Sequence, residues 1–314
     1  MRLRATDFTM STKLRLVVSA WACLVLFTVL GGRTDMLQPT SVAYSNLQHT
    51  TQTSRIVEVK NKTKRLLKNP TEYFESLEQP NGYCRKLVTF GGTSCKLWMD
   101  GDKQVCLDDH VAMPKKDCLV YSFGAGDDIS FEDSIIEFAD CELHLFDPSI
   151  NASDILNESG EKIKFHKLGL GESEKVLVHK GVTYKFNTFD SILRQNGHLG
   201  RTIHYLKLDI ESSEWVVLPY LLEKGLLDNV WQLAMELHST FLNNLPFEKW
   251  MEHLQRQHDV LTSLETLGFR KISYRENLNM VGFVKVPGEE HKRPACGEVL
   301  YVREPSSIGR RSLL

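Results

Sequence analysis

Several residues stand at spacings that suit ligand chemistry. Phe123-Gly124-Ala125-Gly126 follows the apolar run Cys118-Leu-Val-Tyr-Ser-Phe, and a second apolar run ends in Asp147-Pro148. A strand that runs into glycines and then a helix lets backbone approach a ligand at the sheet's carboxyl edge. An acid about 20 residues further on, at the end of the next strand, can accept hydrogen bonds from ribose hydroxyls. Two further pairs, Asp209 with Glu211 and Glu236 with His238, are spaced two apart near the ends of later apolar runs. A carboxylate there could take a proton from an acceptor hydroxyl. Only one of Asp209 and Glu211 is expected to face the reacting group. Glu236 and His238 read as a base with its orienting partner, or as two metal ligands. An ordinary strand-turn-helix with an Asp cap competes with the first reading, and a solvated polar strand end with the last.

The glycine turn alone does not choose between nucleotide-type ligands. Dinucleotide sites use G-x-G-x-x-G, but Ile129 stands at the third glycine position. Asp127 and Asp128 fall where a pyrophosphate would sit and would repel it. Two acids tolerate the cationic sulfonium and amino group of S-adenosylmethionine, which favours methyl transfer over hydride transfer.

The elements that must position these residues are legible as alternating patterns. Strands are expected at Cys118–Phe123, Glu142–Asp147, Ile163–Leu168, Ile203–Ile210 and Trp231–Leu237. Helices or turns are expected at Ser130–Asp140, Thr188–Gln195, Ser213–Lys224 and Glu248–Leu267. Arg270–Arg275 and Met280–Val286 read as a closing strand pair. The fold class is therefore α/β, Rossmann-like, with a mainly parallel sheet and a C-terminal antiparallel pair.

With these elements in place, VYSFGAGDDISFE and ELHLFDPS resemble the animal methyltransferase-like protein 24 group. HYLKLDIESSEWVVL resembles the fourth-strand motif of that group and of FkbM-type methyltransferases, usually K-I-D-V-E-G-x-E; LAMELH and LGFRKISYREN extend the likeness. The resemblance covers roughly residues 82–303. It implies a Rossmann-like methyltransferase using S-adenosylmethionine, with Phe123, Gly124, Gly126 and Asp128 around its methionine portion. It places Asp147 and Pro148 at the ribose, and Gly169 and Asp190 toward the adenine. It places Asp209 and Glu211 beside the transferable methyl; with Glu236 and His238, read from their spacing, they are the catalytic candidates. Two departures stand out: Ser122 replaces an acid two residues before the first glycine, and Ser212-Ser213 replaces the glycine after Glu211. No acceptor is implied; small molecule, glycan and protein remain open.

The 314 residues are 42% hydrophobic and 25% charged, which suits a globular chain with a sizeable core. A net charge of -2 gives no electrostatic reason to expect a nucleic-acid partner. Residues 16–32 carry no charge and follow Arg2, Arg4, Lys13 and Arg15. That pattern reads as a signal anchor with a cytoplasmic tail (1–15), a stem (33–81) and a luminal domain (82–314). Expected placement is a single-pass type II membrane protein of the secretory pathway, secreted instead if the segment is a cleaved signal peptide. Six cysteines beyond Cys23 permit disulfides without giving their pairing, and sequons at Asn61, Asn151 and Asn157 agree with that compartment. Two rival functions stand beside methyl transfer. One is a tethered, non-catalytic protein that keeps the fold. The other is a metal-dependent glycosyltransferase using Asp100-Gly101-Asp102.

Overall fold

The computed structural model describes residues 65–95, 98–155, 162–278 and 282–308. Seven strands form the central sheet: β1 Lys116–Phe123, β2 Asp140–Phe146, β3 Ile163–His166, β4 Tyr205–Leu208, β5 Gln232–His238, β6 Phe269–Glu276 and β7 Cys296–Arg303. Their order is β3-β2-β1-β4-β5-β7-β6. All pairs are parallel except the two that β7 makes, with β5 and with β6. The chain leaves β1 for β2 on one side and returns to β4 on the other. That reversal opens a crevice at the carboxyl edge between β1 and β4, where ligands of open α/β sheets bind.

The strands are buried on both faces, which is why their sequences run apolar without alternation. One face carries Tyr121, Phe123, Phe146, Leu206 and Leu208 against helices α1 Pro70–Glu78, α3 Phe189–Gln195, α4 Glu214–Glu223 and α5 Phe247–Thr266. The other face packs Val120, Leu143, Leu145 and Tyr205 under helix α2 Ser130–Phe138 and the strand pair Leu87–Phe90/Lys103–Cys106. In α5, Trp250, Leu254, Gln257, Leu261 and Leu264 repeat every three or four residues and form the buried stripe. Helix α1 starts with Asn69, whose side chain accepts from Glu72 N at 3.0 Å, and with Pro70 in the first turn. Its Tyr73, Phe74 and Leu77 enter the core, so the folded body reaches back before Gly82.

The expected closing pair is corrected. Arg270–Arg275 does lie in β6, but its partner is β7, not Met280–Val286. Within the latter stretch the described strand is Phe283–Val284, paired with Arg293–Pro294. Gly282 (φ +99°) and Pro287 bracket that short strand. β7 instead offers eight continuous residues, Cys-Gly-Glu-Val-Leu-Tyr-Val-Arg, long enough to sit between β5 and β6. A small sheet of Gly169–Leu170, Lys175–His179 and Val182–Asn187 follows β3.

Among the described residues two disulfides form, Cys84–Cys106 and Cys118–Cys141, the second tying β1 to β2. Residues 16–32 and the sequons at Asn61 and Asn157 lie outside the described residues; Asn151 is exposed. Among the described residues no helix is long and apolar enough to cross a membrane.

Candidate active site at the carboxyl edge

The glycine turn is built by backbone geometry. Gly124 (φ +86°) lies against the backbone of Asp209, so close that a Cβ would overlap the Asp209 carbonyl oxygen. Gly126 (φ +55°) has open space where its Cβ would be. Asp147 fastens the turn from the end of β2. Its Oδ2 accepts from Ala125 N at 3.0 Å and Gly126 N at 3.2 Å; its Oδ1 accepts from Ser149 N at 2.7 Å and Ser149 Oγ at 2.6 Å. An ionised carboxylate offers about four acceptor positions, so protein donors fill this one. Asp128 Oδ1 accepts from Ser130 N at 2.8 Å, starting α2, while Asp127 is exposed. Pro148 lies beside Gly169, where a Cβ would meet both Pro148 and the Phe186 ring.

Beneath the turn lies a buried charge network. Ser122 Oγ donates to Glu132 Oε1 at 2.5 Å, and Lys207 Nζ donates to Gly124 O at 2.6 Å and lies 3.4 Å from Glu132 Oε1. Ser122, standing where the related motif has an acid, thus hydrogen-bonds a carboxylate from α2, Glu132, which is 0% exposed.

A second group gathers at the ends of β4, β5 and β7. The β5–β7 register sets Glu236 opposite Glu298 and His238 opposite Cys296. Lys103, almost fully buried, reaches in from the strand pair covering this face. Its Nζ lies 2.6 Å from Glu298 Oε1 and 3.3 Å from Asp209 Oδ2. Burial opposes its charge, but Glu298, then Asp209 and Glu236, hold the ammonium well above the ordinary lysine range. Burial likewise opposes the Asp209 charge, yet Lys103, Lys207 and His238 hold that carboxyl well below its usual range. Glu236 moves the other way, pushed well up by burial and by the charges of Asp209 and Glu298. The β4 strand ends at Leu208, and the chain then turns through left-handed Glu211 (φ +53°) and Ser212 (φ +72°). Because of that turn both Asp209 and Glu211 approach His238, which corrects the expectation that only one would face the centre.

The fold order and this geometry set the frame for relatives. The methyltransferase domain family matches residues 36–281, well over half of the chain. The chain belongs to this family. It is also similar to probable methyltransferase-like protein 24 of Homo sapiens (36% identical) and of Rattus norvegicus (32%). Each match runs over 159 residues, 48% of this chain and 41% of that protein. The matched stretch thus spans about two fifths of the length of these curated relatives. Among solved structures, the FkbM methyltransferase of Methylobacillus flagellatus KT aligns at 13% identity over 60% of this chain and 44% of that one (TM-score 0.34). The Methanococcus jannaschii fibrillarin pre-rRNA processing protein aligns at 9% over 68% and 83% (TM-score 0.35). At such scores the strand order, not the superposition, carries the fold.

Against this methyltransferase frame the expected site residues divide. Gly124, Gly126, Asp128, Asp147, Pro148 and Gly169 gather around the turn. The Phe123 side chain does not line it; its ring is buried 4.6 Å from that of Phe146, and only its carbonyl, accepting from Asp209 N, reaches the edge. Asp190 sits in the first turn of α3 with its carboxylate committed to Tyr220 Oη (2.8 Å) and Arg194 (2.5 Å). The orienting partner of His238 is Glu214, not Glu236: Glu214 Oε1 lies 3.2 Å from His238 Nδ1 and accepts from Ile210 N at 2.9 Å. Burial disfavours the imidazolium, but Glu214, then Cys296 and Glu236, hold His238 well above its ordinary range. Asp102 of Asp100-Gly101-Asp102 is buried in an ion pair with Arg275 at 2.8 Å, which commits a carboxylate the glycosyltransferase reading requires free.

Glu132, Lys207, Glu214, Lys103, Cys296 and Glu298 were not singled out from sequence. Lys207 and Glu214 were within reach, because they are the first and last charged residues of the fourth-strand motif. Cys296 and Glu298 needed β7 to be recognised as a strand.

Proposed function

We propose that this methyltransferase domain binds S-adenosylmethionine over the glycine turn and transfers its methyl to an acceptor held beyond the ends of β4 and β5. One observation carries the reading: the strand order reverses at β1 and β4, and there Gly126 leaves open space. The exposed Asp127 supplies negative charge beside that space. When bound, the cofactor supplies an electrophilic methyl. The chain's own task is positioning, since in-line transfer needs two aligned partners more than covalent chemistry. Gly124 brings the turn against Asp209, so the cofactor crevice and the acidic group share a wall. Asp209, Glu211, Glu236 and His238 gather at that wall, and a carboxylate among them is the acceptor for a hydroxyl proton. To accept from a ribose, Asp147 must release one protein donor, and the freely rotating Ser149 hydroxyl is the least costly to give up.

The saturation of Asp147 favours a second reading, in which the fold is retained by a tethered protein without turnover. Calorimetry with S-adenosylmethionine and S-adenosylhomocysteine separates the two levels. Cofactor should bind the wild-type chain, and Asp147→Ala should weaken it about 10–100-fold, the worth of hydrogen bonds to a charged group. No binding to the wild type would overturn the cofactor assignment. Binding without methyl transfer to small-molecule, glycan or protein pools would favour the second reading.

The proposal extends to placement. Residues 16–32 would anchor the chain with its domain in the lumen of the secretory pathway, and the two disulfides support an oxidising compartment. Protease protection of the domain in sealed microsomes is the expected result; cleavage without detergent would refute it.

A further inference from the structure

The group at the ends of β4, β5 and β7 has a feature that proton transfer does not require. In the antiparallel register Glu236 faces Glu298 and His238 faces Cys296, so all four side chains rise from the same side of the sheet. Donor atoms of Glu236, His238 and Cys296 lie within 4.8 Å of one another, and all three residues are buried. The same imidazole belongs to a second such group with Asp209 and Glu211.

The orientation of His238 is specific. Nδ1 is held by the wholly buried Glu214, whose Oε2 has no hydrogen-bond partner. Nε2 faces Glu211 Oε2 at 3.6 Å and Glu236 Oε2 at 3.7 Å, both too long for a hydrogen bond. Glu236 is oriented in turn, because Asn277 Nδ2 donates to its Oε1 at 2.8 Å and leaves Oε2 toward the imidazole. An imidazole steered by a carboxylate at one nitrogen, with further donors converging on the other, is how ligating histidines are held.

We propose that Glu236, His238 and Cys296 bind a divalent cation of the zinc class, with the fourth position left to solvent or substrate. A nitrogen, oxygen and sulfur donor set suits zinc or cobalt, whereas magnesium and calcium take oxygen ligands. Lys103 offers one positive charge to the two carboxylates Asp209 and Glu298, so this edge keeps a surplus of acidic groups that a cation would answer. The other buried histidine cluster differs in just this respect. Glu142 there is already paired with Lys164 (2.5 Å) and Arg201 (3.0 Å), and His144 with Glu142 (3.2 Å) and His166 (3.0 Å). The cation site stands independently of the cofactor reading, since its test reads metal and not methyl transfer.

The test is metal content and cobalt spectroscopy on the untagged full chain. Stoichiometric zinc by mass spectrometry is expected after exhaustive dialysis. Cobalt loading should give visible d–d bands together with a near-ultraviolet thiolate-to-cobalt band. Cys296→Ser, a one-atom change, should abolish the thiolate band; His238→Ala should lose stoichiometric binding; Glu214→Gln should weaken affinity about 10–100-fold. His144→Gln, in the other cluster, should retain full occupancy. Substoichiometric zinc in the wild type, no thiolate band, or unchanged binding in Cys296→Ser would each overturn the site. If His238→Ala fails to fold, the wild-type spectrum and the Cys296→Ser spectrum decide alone.

Discussion

The carboxyl edge of the sheet holds two regions made in different ways. At β1 and β2 the glycine turn is backbone fastened by one side chain, the Asp147 carboxylate, which accepts from two successive N–H groups. At β4, β5 and β7 the site is made of side chains from separate elements: Asp209, Glu236, His238, Cys296 and Glu298, with Lys103 inserted from outside the sheet. The first region is local and saturated. The second is long-range and keeps unpaired oxygens on Glu214 and Glu298. In the first the chain's own donors fix the shape; in the second buried carboxylate oxygens stay without a hydrogen-bond partner. The buried Glu132–Lys207 pair joins them, reaching Ser122 on one side and the strand of Asp209 on the other.

Breaking that join should produce the largest effect. Glu132→Ala leaves Lys207 buried without its carboxylate and should cost about 3–5 kcal/mol in denaturant unfolding. Combining Glu132→Leu with Lys207→Met should recover most of the loss, because a buried pair replaced by apolar groups is often neutral. A loss under about 1 kcal/mol for Glu132→Ala would show that the two regions are not coupled through this pair.

The next test sets two glycines of one turn against each other. Gly124→Ala meets both a left-handed φ and the Asp209 carbonyl, and should lower stability by about 2–4 kcal/mol. Gly126→Ala meets only the backbone term, about 1 kcal/mol, because nothing lies within 4 Å of its Cβ. Equal losses at both positions would mean that the close approach to Asp209 is not what shapes the turn.

The smallest expected effect is a gain. Ser212 holds φ +72° where the related motif has glycine. Ser212→Gly should stabilise by about 0.5–1 kcal/mol, the relief of left-handed strain reduced by the greater unfolded-state freedom of glycine. A thermal midpoint that falls would show that the buried Ser212 side chain contributes more than its backbone strain costs.

Much of this architecture was legible in the residues. The apolar runs marked the first five sheet strands because parallel strands are buried on both faces. Gly124, Gly126 and Asp147 announced the turn because glycine suits left-handed backbone, at Gly124 also a close approach to Asp209, and an acid ending the next strand can accept from the turn's N–H groups. The misplaced second closing strand has an equally physical origin: Met280–Val286 and β7 are both apolar, and only pairing with β5 selects between them.

What the amino-acid order determined by itself was local: strand–turn–helix periodicity, the turn chemistry, and the motif from Lys207 to Glu214. The tertiary structure decided which charges meet. Lys103 reaches Asp209 across 106 positions, and Glu298 reaches Lys103 across 195. His238 stands opposite Cys296 because two strands pair in one antiparallel register and no other. Periodicity reports which face a residue shares with its own neighbours. It cannot report what another strand brings to that face, and at this edge the chemistry lies in those meetings.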